Sequence, residues 1–239
     1  MESITIKELE GVTPEYQDLL DKANRIDFSA LAASNCLLPV GTDQEGVPLF
    51  LINAASLPSM DKMEEFLIYF IKTLEPVVVS NNYSLIYSHA LLKPESTPDR
   101  NWLTNVYKIL PRNFKKNLKT LYILHPSTWI KFLFMAMSPF LSEKVWNKVV
   151  YLDYIQEIPG VLDRNAILSK IPQETKDYDD KLLENPEITE KVVTSMDTLG
   201  KELLSVFGSS FNLFSSVDPS KWQSAFNGSN ERSAYYDDK

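Results

Sequence analysis

Four short runs rich in β-forming residues, at 48–53, 83–89, 121–124 and 148–152, are separated by stretches whose apolar residues recur at helical spacing. The run at 48–53 is apolar almost throughout, as in a strand covered on both faces. After it, Met63, Phe66, Leu67, Phe70, Ile71 and Leu74 trace one helical face, which Pro76 is expected to end. Residues 101–110 read as a helix stopped by Pro111, 127–141 as another, and 155–169 as a third closed by Ile171-Pro172. Such alternation implies βαβ units. It predicts an α/β fold with a mostly parallel central sheet and helices on both faces.

The first 40 residues read as helical, with 1–27 as a lead-in. Thr13 is placed to cap a helix that has Pro14 at its first position and continues through Leu19, Leu20, Ala23 and Ile26. Gly41 to Gly46 then reads as a turn. The domain proper is expected over 28–171, followed by an acidic extension over 172–239 with 13 acids against seven bases from residue 173 onward. Within the extension, Val192, Val193, Met196, Leu199, Leu203, Leu204 and Phe207 predict an amphipathic helix near 189–207, docked on the domain or seeking a partner, and the end is expected to be disordered.

Cys36 is the single cysteine, so no internal disulfide can form, and the first five residues lack the basic and apolar regions of a secretion signal. The most apolar stretch, 129–141, is interrupted by Lys131 and Pro139 and is too short to cross a bilayer. A cytoplasmic protein is expected, one that can touch membranes peripherally. The formal charge of −8 argues against nucleic acid as a partner. Yet residues 100–142 contain no acid and seven bases. Such a band either steers the chain to an anionic surface or acidic partner, or forms a solvated face.

No phosphate-binding loop, dinucleotide fingerprint or nucleophile elbow is present. His89, His125 and Cys36 are too few soft ligands for a zinc site, and the two histidines, at strand ends, read as holding turns. No catalytic residue, metal or cofactor is expected.

One segment is more specific. Arg112, Phe114, Lys115, Lys116, Asn117, Leu118 and Lys119, followed five residues later by His125-Pro126-Ser127, resemble the signature of BCH domains. These are the divergent CRAL-TRIO domains of Rho GTPase-activating proteins and ganglioside-induced differentiation-associated proteins. Asn113 stands where a second basic residue is usual, and Gly46-Val47-Pro48 where Gly-Arg-Pro is usual. The likeness extends over about residues 28–170.

The resemblance implies a CRAL-TRIO-like sandwich in which the helix after His-Pro is a gate over an apolar cavity. Trp129, Phe132, Leu133, Met135, Ala136, Met137 and Phe140 would then line the gate and lipid pocket. Read from the residues alone, this helix is apolar nearly all round, which fits core burial as well as a gate. Arg112, Lys115, Lys116 and Lys119 would form the basic docking surface. The implied function is non-catalytic binding or exchange of a hydrophobic lipid at an anionic membrane surface. The alternative is a lipid-free scaffold for a Rho-type small GTPase or another BCH domain.

Overall fold

The computed structural model describes residues 9–137 and 141–184. The chain divides into two units between Tyr178 and Asp179; the sheet and its helices belong to the first, and 179–184 are the described part of the second.

Strands β1 (Leu37–Thr42), β2 (Pro48–Asn53), β3 (Tyr83–Ser88), β4 (Leu118–Leu124) and β5 (Val149–Leu152) form one sheet in chain order. From β2 to β5 all pairings are parallel, and β1 lies antiparallel on the β2 edge. This order has a topological consequence. Each parallel crossover steps one place in the same direction, so right-handed connections put every crossover helix on one face. The crossovers are α3 (Met63–Val78), then α4 (Arg100–Ile109) with α5 (Arg112–Lys116), then α6 (Thr128–Met137) with α7 (Glu143–Trp146).

The packing agrees. Phe50 and Leu85 share a core with α3 and with the lead-in helix α1 (Pro14–Ala23), from which a short α2 (Ser29–Ala33) runs toward β1. Under α6, Ile123 and Val149 meet Ile130 and Leu133. The opposite face must be covered by whatever follows β5. There Leu49, Leu51, Ile86, Tyr122, Leu124 and Leu152 pack on Ile155, Ile158, Leu162 and on Ile167 of α8 (Arg164–Lys170). The parallel sheet covered on both faces is as expected from the sequence, and Thr13 caps α1 by accepting the Tyr16 amide at 3.2 Å.

Several local expectations are corrected. The sequence points to helix and turn before Gly46, but 37–42 form β1, because an edge strand tolerates Pro39 and Gly41 through a shifted register between Pro39 and Thr42. Helix α3 runs through Pro76 to Val78, since a proline in the last turn forfeits a single ladder bond. β4 starts at Leu118, ahead of the apolar run, because its amino end carries the polar Lys119 and Thr120. The helix expected over 155–169 splits into a 3-10 turn at Ile155–Glu157 and α8, with Pro159-Gly160 between them and Asp163 capping α8. A further helix, α9 (Gln173–Glu184), starts directly after Pro172. Residues 138–140 of the helix expected at 127–141, and the whole of 189–207, lie outside the described residues.

Candidate functional site

β4 connects the two halves of the signature segment and separates them by its own length, about 20 Å for seven residues. The basic residues lie at its amino end. His125, Pro126 and Ser127 lie at its carboxyl end, where open α/β sheets commonly place functional groups.

At the carboxyl end the backbone of His125 is left-handed (φ +53°), a conformation costing a non-glycine residue roughly 1 kcal/mol, and its amide donates to Leu152 O at 2.8 Å. This turn lifts the chain off the sheet into α6. Ser127 Oγ accepts the Ile130 amide at 3.3 Å, as a helix cap does, and lies 2.6 Å from His89 Nε2. His89 Nδ1 is 3.2 Å from the Tyr87 hydroxyl. With one proton and two lone pairs, Ser127 Oγ serves both the Ile130 amide and the hydrogen bond with His89 Nε2. Burial, and secondarily the nearby His125, lower the pKa of His89 to about 4. The ring is therefore uncharged at neutral pH, and the serine hydroxyl is committed as a cap.

α6 then crosses the sheet. Ile130, Leu133 and Met137, spaced i, i+3, i+7, are buried, and the first two join Ile123 and Val149 in one cluster. Lys131, the sole charge on the helix, sits 3.6 Å from Asp153 Oδ1 and 5.6 Å from the Tyr151 ring centre, and Phe134 meets Trp146 edge-on at 6.2 Å. Of the expected gate residues, Leu133 packs against the sheet in that cluster and Met137 is buried. The side chains of Trp129, Phe132, Met135 and Ala136, and all of Phe140, lie outside the described residues.

At the amino end the four expected docking residues have different surroundings. Lys119 donates to Asp43 at 2.7 Å and lies 2.9 Å from Glu45. Asp43 is buried and also accepts the amides of Glu45 and Val47 at 2.9 Å each, so one carboxylate holds both the β1–β2 turn and the start of β4. Burial pushes the Asp43 pKa up, but the Lys119 and backbone hydrogen bonds outweigh it and hold it below the usual carboxylate value. Lys115 donates to Tyr107 O at 2.9 Å, with its ammonium 4.7 Å from the Tyr107 ring centre, and burial pulls its pKa down.

Arg112 and Lys116 point outward, with side chains 71% and 59% exposed, and share Glu10 at 3.2 and 3.6 Å. Asn113, which departs from the family pattern, is buried and accepts the Glu10 amide at 2.7 Å; a long cation there would lose this clip. Lys148 belongs to the same edge. It donates to the carbonyls of Lys115 and Lys116, closing the carboxyl end of α5.

Sequence reasoning missed the His89–Ser127 contact and the Asp43–Lys119 pair. Each joins residues far apart in the chain and has no local signature.

The family model described as "Divergent CRAL/TRIO domain" matches residues 46–181. Rho GTPase-activating protein 68F of Drosophila melanogaster is 38% identical over 173 residues, which is 72% of this chain and 36% of that protein. Rho GTPase-activating protein gacY of Dictyostelium discoideum is 40% identical over 155 residues, 64% of this chain and 21% of that protein. The Protein GDAP2 homolog of Drosophila melanogaster is 29% identical, over 74% of this chain and 33% of that protein. The match thus spans about a third or less of these relatives' length. Among solved structures, the crystal structure of Sfh5 is similar at 15% identity and a TM-score of 0.45, over 59% of this chain and 55% of that chain. With the family match covering more than half of its residues and the parallel sheet in place, the chain belongs to the divergent CRAL/TRIO domain family.

Proposed function

We propose that the chain is a non-catalytic domain that binds or exchanges a hydrophobic lipid at membrane surfaces, with α6 as the gate. The observation that supports this reading is the composition of α6: the helix TWIKFLFMAM has a single charged residue, and among its described side chains Ile130, Leu133 and Met137 are buried and Phe134 meets Trp146. A helix covering a sheet requires only one apolar stripe, so the remaining apolar residues call for a second apolar partner. A lipid chain supplies one, at about 0.8 kcal/mol per buried methylene.

Among the described residues no helix is long and apolar enough to cross a membrane, so contact with a bilayer through them would be peripheral. Arg112 and Lys116 are the cations to make it. Both are exposed, and each would contribute about 1 kcal/mol near an anionic leaflet. Lys115 and Lys119 are occupied in holding the fold. The decisive experiment is native mass spectrometry with lipid extraction on the chain purified from cells, together with flotation on phosphatidylserine vesicles. The expected result is a co-purifying lipid in one-to-one ratio and reduced flotation for Arg112→Glu/Lys116→Glu. Protein free of lipid, with flotation unchanged in that variant, would sink the proposal.

The relatives' names favour another reading, a lipid-free scaffold for Rho-type GTPases or for other domains of this kind. It predicts GTPase capture by lipid-free protein.

A further inference from the structure

The helices α1, α3 and α4 leave an open groove of about 500 Å³. Its floor is apolar. Leu19 of α1 and Leu67 of α3 are buried there, whereas Trp102, Val106 and Ile109 of α4 are only half-buried. These three are spaced i, i+4, i+7, an apolar stripe about 10 Å long that α4 turns only in part toward the core. Among the described residues of α4, Thr104 alone is buried.

The rim is acidic. Glu15, Asp18 and Glu64 stand exposed around it, with Lys22 as the opposing charge, so the lining carries two negative charges in excess. The Lys22 ammonium lies 3.1 Å from Asp18 and 2.8 Å from Glu64, joining α1 to α3 across the groove. Asp18 and Glu64 are therefore spaced to hold an ammonium, which Lys22 supplies from this chain, while Glu15 adds a further exposed carboxylate to the lining. An anionic lipid headgroup would meet repulsion at the same rim.

We propose that this groove docks a basic amphipathic helix of a partner protein, its aliphatic residues lying along Trp102, Val106 and Ile109 and its lysines or arginines at Glu15, Asp18 and Glu64. The proposal does not rest on the lipid-binding reading.

Selection of a random library of helical peptides on the full chain tests this, with binding measured afterwards by titration calorimetry. The expected peptides pair aliphatic anchors at helical spacing with flanking lysine or arginine, and lose about tenfold or more in affinity for Val106→Asp and for Glu15→Lys/Asp18→Lys. The double variant alters only exposed side chains and keeps the test decisive should Val106→Asp fail to fold. Recovery of no binders, of acidic binders, or of binders indifferent to the rim variant overturns the proposal. So does self-association of the chain in sedimentation that the same rim variant abolishes, which would assign the groove to a second copy.

Discussion

At the amino end of β4, Lys119 meets Asp43 and Glu45, while Arg112 and Lys116 share Glu10; at the carboxyl end, His89 and Ser127 are joined by a hydrogen bond and carry no charge at neutral pH. In sequence the amino end has the marks of a functional surface, and the carboxyl end reads as punctuation. In the fold the two ends differ in how their polar groups are partnered. The charged end uses much of its charge in staples between distant segments. The neutral end launches α6, a ten-residue helix with a single charge. A run of like charges in a sequence is thus not the same thing as a free charged surface, because partners from elsewhere in the chain can answer it.

The largest expected effect lies on the α6 side. Leu133→Ala should destabilise the chain by about 3 kcal/mol in urea unfolding, as for a buried leucine in a closed cluster. A loss below about 1 kcal/mol would mean that α6 is not docked in the free protein, and the two ends of β4 would no longer differ in this way.

At the charged end, Asp43→Ala should cost about 2 kcal/mol, since it orphans two turn amides and leaves Lys119 with Glu45 alone. Because its folded pKa is depressed, the contribution of Asp43 is complete above about pH 4 and fades as the pH falls through the folded value. If the Ala variant matched the parent in unfolding midpoint at pH 7, the staple would be ornamental.

His89 sets the opposite end apart by pH. Its folded pKa of about 4 lies below the free value of 6.5, so the unfolded chain binds the proton first and stability drops on acidification. From pH 7.5 to pH 5 the loss is about 2 kcal/mol, and His89→Gln should flatten that part of the curve. An unchanged pH profile in that variant would show that the ring is not held neutral at the head of α6.

The smallest effect sharpens the comparison within one dipeptide. Lys115→Glu should cost about 1 kcal/mol by losing the Tyr107 carbonyl and ring, whereas Lys116→Glu should stay within about 0.5 kcal/mol of the parent. Equal losses would mean that both lysines are structural.

The parallel sheet was legible because runs such as 48–53 and 148–152 carry their period locally, and the helices between them keep theirs. The α1 cap was legible for the same reason, Thr13 and Pro14 being neighbours. β1 was not, since Pro39 and Gly41 have the character of breakers until an edge position accommodates them. The four basic residues were found by sequence, but their partners Glu10, Asp43, Glu45 and the Tyr107 carbonyl were not, because those contacts close only when the sheet forms.

By itself the sequence determined the α/β class, the family and the apolar character of the helix after His125-Pro126, since all three reside in local composition and spacing. Tertiary structure alone decided which lysines are tied into the fold, that Ser127 caps α6 under His89, and which face the crossover helices occupy. The reason is physical. Periodicity is a property of adjacent residues, whereas a charge or a hydroxyl acquires its role from whatever the folded chain brings within about 3 Å of it.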